Sequence, residues 1–244
     1  MSRATLTSTA ALIASLILDL GAHAAPTRVF ELALAPTLAA GSTASEASAL
    51  SFSLLGSNAA RINGFGLGLL ASSPMDRVAG VQLSGLVGMS GGDTYGLQVS
   101  GLGNLDRGDV YGLQIGGLSN VTGGVLYGMQ VAGLSNLQGD DLGGLQVAGL
   151  ANVLGGDLYG LQLAGLSNIH GSAVFGAQVA LFNLGAQVRG AQIGLVNVAD
   201  DVNGVQIGLV NISRQMLGVP LGLVNIVDDG IFDIALWSDD VSAS

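Results

Sequence analysis

Between residues 64 and 230 apolar and polar positions recur in one fixed order. Read from Gly112, the order is Gly-Leu-Gln-Ile-Gly-Gly-Leu-Ser-Asn-Val-Thr-Gly-Gly-Val-Leu-Tyr, and from Gly128 it begins again. The leading glycine stands at 64, 80, 96, 112, 128, 144, 160 and 176, then at 190, 204 and 218, so the period shortens from 16 to 14 residues. Apolar residues alternate with others over short runs bounded by glycine, which predicts short strands and tight turns. A fixed period of this length predicts a stack of repeated units.

Two polar columns run through the repeats. Gln82, Gln98, Gln114, Gln130, Gln146, Gln162, Gln178, Gln192 and Gln206 form one. Asn104, Asn120, Asn136, Asn152, Asn168, Asn183, Asn197, Asn211 and Asn225 form the other. A third column holds all four tyrosines, Tyr95, Tyr111, Tyr127 and Tyr159, with Gly143 and Phe175 in the same register. In the last unit Pro220 replaces the glutamine.

Two all-β architectures accommodate this pattern. One is a β-solenoid of about eleven coils of 14–16 residues with N- and C-terminal caps. The other is an antiparallel outer-membrane β-barrel of roughly fourteen strands, each about 9–11 residues long. The change of period favours the solenoid. Gln114 to Asn120 is six positions and Gln206 to Asn211 is five, with one further residue lost on the return to glycine. A two-sided coil narrows symmetrically in this way, whereas one lost residue within a barrel strand would turn one of the two side chains to the opposite face. Identical columns also suit parallel stacking, in which each amide lies ~4.8 Å from its copy and bonds to it. In that arrangement Leu113, Ile115, Leu118 and Val121 are expected to point inward. The alternation leaves open whether the glutamines face outward or inward. The asparagines are expected to satisfy backbone groups at a corner and to bond their copies.

The flanks divide the chain further. Residues 1–24 read as an export signal: Arg3, an apolar stretch from Ala10 to Leu20, and the small-x-small site Ala22-His23-Ala24. Residues 25–63 read as an N-terminal cap, with strands near Arg28–Pro36 and Ala49–Leu55, a loop from Leu38 and a turn at Gly56-Ser57-Asn58. The repeats occupy 64–230. Residues 231–244 read as a closing strand and an acidic end.

Composition narrows the chemistry. The chain has 17 acids against 7 arginines and no lysine, a net charge of −10 that provides no footprint for nucleic acid. It has no cysteine, which excludes disulfides, thiolate metal sites and cysteine nucleophiles. Past the export segment the single histidine is His170, read as an exposed turn residue. The acid pairs Asp140-Asp141, Asp200-Asp201, Asp228-Asp229 and Asp239-Asp240 read as solvated ends and turns, which aspartate favours. Gly91-Gly92-Asp93 and Gly155-Gly156-Asp157 fall short of calcium-binding nonapeptide repeats because the period differs. No catalytic, cofactor or metal residue is expected.

The units Gly-Val-Gln-Ile-Gly-Leu-Val-Asn resemble those of bacterial surface repeat-containing proteins, which carry tandem G-x-Q-[IV]-x-G-L-x-N segments. The resemblance extends to the lead-in, Phe30 to Pro36 and Leu50 to Leu55, and to the exit, Gly218 to Gly222. It implies an exported, non-enzymatic cell-envelope protein of the outer membrane, surface or periplasm, with a structural or binding role and no catalytic residues to carry over.

Overall fold

A computed structural model describes residues 27–33, 47–54, 61–72, 76–228 and 231–234. Every regular element among them is a β-strand. The expected export segment 1–24, the loop from Leu38, the turn at Gly56-Ser57-Asn58 and the acidic end from Ser238 lie outside these residues.

The chain is a β-solenoid of about eleven coils. One coil of the long-period type shows the plan. Strand Leu142–Ala148 leads to a corner at Gly149-Leu150, strand Ala151–Leu154 returns, and Gly155-Gly156-Asp157 turns the chain into the next coil. Leu142–Ala148 pairs in parallel with Leu158–Ala164, Gln146 opposite Gln162, and Ala151–Leu154 pairs in parallel with Ser167–His170, Asn152 opposite Asn168. The antiparallel barrel therefore does not form. Identical residues meet across most of the parallel ladders, Gly144 on Gly160 and Asn197 on Asn211 among them, which up-and-down strands could not arrange.

By its contacts the chain falls into two units, Met1–Gly124 and Val125–Ser244. In the first, Thr27–Ala33, Ala47–Ser53, Arg61–Gly68, Arg77–Ser84, Asp93–Ser100 and Val110–Gly116 stack in parallel in that order. The two strands of the segment read as a cap thus extend the stack. In the second, the period changes at the corners and leaves the strands intact. Ala164-Gly165-Leu166 becomes Ala180-Leu181, so Asn168 faces Asn183, fifteen residues on. The other corner then loses a residue, and Gln178 faces Gln192, fourteen on. From Phe182 the short and long strands run on as one, Phe182–Ile193, Val196–Ile207 and Val210–Leu221. Ile231–Ile234 ends the described chain, pairing antiparallel with Val224–Val227.

The leading glycines hold the coils at close distance. Gly144 has φ +139°, and a Cβ there would stand 2.0 Å from the carbonyl oxygen of Gly128. Only a residue without a side chain fits, on both conformational and steric grounds. Replacing Gly144 by alanine should cost about 2–5 kcal/mol, the sum of backbone strain and overpacking. Gly171→Ala, where a Cβ would meet nothing within 4 Å, should shift stability by less than ~0.5 kcal/mol. Denaturant midpoints of the two variants check this; equal midpoints would remove the close-approach argument.

Candidate functional site

The interior of each coil is narrow, and side-chain amides fill much of it. All nine repeat glutamines and all nine repeat asparagines are buried, none more than 3% exposed. In the second unit Gln146, Gln162, Gln178, Gln192 and Gln206 each donate from Nε2 to the Oε1 of the glutamine one coil earlier, at 2.8–3.0 Å. Asn136, Asn152, Asn168, Asn183, Asn197 and Asn211 each donate from Nδ2 to the Oδ1 of the asparagine one coil later, at 2.8–3.0 Å. The two ladders run in opposite senses, so their aligned amide dipoles oppose one another. The first unit repeats the arrangement. Gln98 donates to Gln82 and Gln114 to Gln98, each at 2.8 Å, while Asn104 donates to Asn120 at 2.8 Å.

The asparagines also close the corner. Asn152 Nδ2 reaches the carbonyl of Leu163 at 2.8 Å, and Asn197 that of Ile207 at 2.9 Å, at the end of the next coil's long strand. At the far end Pro220 interrupts the glutamine column, and the buried Oε1 of Gln206 has no hydrogen-bond partner.

With the amides inside, the apolar columns expected to point inward face outward. Ile115 is 36% and Leu118 45% exposed, and Leu113 and Val121 are half-buried. The inward positions next to the amides are Val110, Leu126, Leu142, Leu158 and Val174 at the start of the long strand, and Ala132 and Ala148 at its end. The reason is hydrogen bonding. An amide stacked on its own copy satisfies donor and acceptor together, and the remaining donor serves a corner carbonyl that no apolar residue could satisfy.

The column two residues after the asparagine also faces inward, and it is the most varied. It runs Ser90, Asp106, Thr122, Gln138, Leu154, His170. His170 is therefore 2% exposed and not the exposed turn residue expected. Its Nε2 meets the carbonyl of Ala173 at 2.9 Å, and burial lowers its pKa. Asp106 is buried among donors: Thr94 Oγ1 at 3.3 Å, Gln98 Nε2 at 3.0 Å, and Gln114 Nε2. Burial raises its pKa from 3.8 to about 7, against the pull of those hydrogen bonds.

The aspartates at the second corner serve backbone. Asp141 Oδ1 accepts the amide of Asp157 at 2.7 Å, and Asp157 Oδ1 that of Ala173 at 3.1 Å. Among the described residues no three His, Cys, Asp or Glu side chains are grouped to hold a metal ion. In the aromatic column Tyr95 stacks on Tyr111 and Tyr159 on Phe175, with ring centroids 4.9 Å apart. Arg77 lies over the Tyr95 ring and Arg189 over the Phe175 ring. Gly143 interrupts the column, and the Tyr127 ring fills the space that a Cβ there would take, 2.6 Å away.

Sequence reasoning missed the first corner as a surface. Leu86, Leu102 and Leu118 in the first unit, and Leu134, Leu150, Leu166, Leu181, Leu195, Leu209 and Leu223 in the second, are all exposed there. The signal was present: a leucine follows glycine or alanine at every such turn, where water-facing turns take Asn, Asp or Ser.

Two outcomes follow from this geometry. Gln146→Ala deprives Gln130 and Gln162 of a partner and leaves a cavity, and should cost about 3–5 kcal/mol. Leu137→Ala, on the outward face, should cost about 1 kcal/mol or less; the reverse order in chemical denaturation would contradict the inward assignment of the amides. Asp106 governs pH. Its folded pKa lies above its unfolded one, so the folded state keeps a proton that the unfolded chain has lost, and stability falls as pH rises from 3.8 to about 7. Asp106→Thr, matching Thr122 in the next coil, should remove that loss. A variant whose stability tracks the parent across this range would show that Asp106 is not the source.

Searches against protein-family models, curated proteins and solved structures found no match to this chain.

Proposed function

We propose that the protein is an exported, non-enzymatic component of the bacterial cell envelope, with a structural or binding role. One observation carries the reading: polar side chains are turned inward to bond one another, and apolar side chains are presented outward coil after coil. Contiguous exposed apolar surface of this kind marks an interaction face. Among the described residues the buried groups that could titrate are Asp106 and His170. His170, 2% exposed, has its Nε2 on a backbone carbonyl, and Asp106 accepts from the glutamine ladder. The sequence of residues 1–24 supports export, and the repeat motif's resemblance to surface repeat proteins supports an envelope location.

Fractionation of producing cells tests this, followed by N-terminal sequencing. The mature chain should be recovered with the envelope and begin at Ala25. Recovery in the cytosol with Met1 or Ser2 at its N-terminus would contradict it.

A further inference from the structure

Over residues 125–228 the charged side chains collect at one edge of the coil, and the opposite corner carries none. The charged side chains, Asp140, Asp141, Asp157, Arg189, Asp200, Asp201, Arg214 and Asp228, all belong to the second corner or to the column beside it. The opposite corner carries the exposed leucines. Between their ridges runs an open groove of about 510 Å³, walled by Val179, Leu181, Ile193, Leu195, Ile207 and Leu209 over a floor of glycine and alanine. No hydrogen-bonding side chain lines it.

We infer that this leucine edge inserts into the acyl layer of one leaflet of a phospholipid bilayer, with the groove taking acyl chains. The inference deepens the envelope reading by naming what the edge binds. Three observations favour lipid over a protein partner. First, much of the backbone at this edge is paired from coil to coil, which a water-free surrounding favours. Leu195 N bonds Leu181 O at 2.9 Å, Leu209 N bonds Leu195 O at 2.9 Å, and Gly194 N bonds Ile207 O at 2.9 Å. Asn168, Asn183 and Asn197 donate to the strand-end carbonyls of Val179, Ile193 and Ile207. Second, the groove lacks the aromatic, methionine and arginine anchors on which protein interfaces depend. It repeats one branched aliphatic surface, which suits a fluid, non-specific medium. Third, the dimensions agree. Tyr159 to Leu163 spans four strand residues, about 13 Å, and one leaflet's hydrocarbon is about 15 Å deep, half of the ~30 Å core. With the leucines buried, the aromatic column lies at the headgroup level that tyrosine favours, and the acids remain in water.

The chain has no cysteine, so single labelling sites are clean. The full chain carrying Leu195→Cys or Asp140→Cys is labelled with a polarity-sensitive dye and mixed with phosphatidylcholine vesicles. The protein should float with the vesicles, and the dye at 195 should shift to the blue while the dye at 140 does not. Leu181→Ser, Leu195→Ser and Leu209→Ser combined should lower partitioning at least about tenfold, with the circular dichroism spectrum retained. If that triple variant loses its fold, the two dye positions still decide. Adding phosphatidylglycerol should weaken binding, because the acidic rim faces the headgroups. Failure to float, an equal response at both positions, or a blue-shifted 195 signal without vesicles accompanied by dimer sedimentation would each overturn the inference, the last in favour of a second copy as occupant. A cytosolic chain retaining Met1 would instead remove the envelope reading and leave the vesicle result standing.

Discussion

A carboxamide stacked on its own copy at the strand spacing is the interaction on which this structure depends. Each ladder amide is both donor and acceptor, and a parallel stack places it at hydrogen-bonding distance from the identical group above and below. Gln162 between Gln146 and Gln178, and Asn152 between Asn136 and Asn168, show the geometry at 2.8–3.0 Å. The ladders require the same residue in the same place in each coil, which is the origin of the sequence period. They also require close approach of successive coils, which is the origin of the glycine column. A side-chain ladder of this kind tolerates few interruptions, because a buried amide without its neighbour carries the full cost of desolvation. Pro220, which ends the glutamine ladder, leaves one such atom on Gln206.

The placement of the apolar residues follows from the ladders. With Gln and Asn filling a narrow interior, the remaining apolar columns can only lie outside, where each leucine is shielded in part by its copies in adjacent coils. The hydrophobic effect therefore acts here in two places: in the thin inner columns of Leu142, Leu158 and their equivalents, and along the outer ladders, whose uncovered area remains to be buried by something else. The acidic second corner, by contrast, keeps its charges in water while its carboxylates cap backbone amides of the following coil. The sorting of apolar and charged corners to opposite edges is thus a by-product of satisfying hydrogen bonds at both.

Much of this was legible in the sequence, and the part that was not has a definite physical cause. The period, its change from 16 to 14, and the matched columns of Gln and Asn were enough to separate a parallel stack from an antiparallel barrel, since only parallel pairing brings like onto like. The inside and outside of the coil were not legible. Alternation with period two separates two faces without saying which is buried, and the usual assumption that the apolar face turns inward is wrong for Ile115 and Leu118. The positive-φ glycine adds to the difficulty, because it breaks the alternation within the long strand between Tyr127 and Gln130. His170 was misplaced for a related reason: it ends a four-residue strand next to a glycine corner, and its inward direction shows only in register with Leu154.

Protection of the side-chain amides from hydrogen exchange tests the central claim most directly. In an NMR measurement on the folded protein, the NH₂ groups of Gln162 and Asn152 should exchange at least about a thousandfold more slowly than free carboxamides, since both are buried and bonded within ladders that open only with the fold. Exchange of these groups at the free rate, in a protein whose backbone amides in Leu158–Ala164 are protected, would place the amides outside and contradict the account.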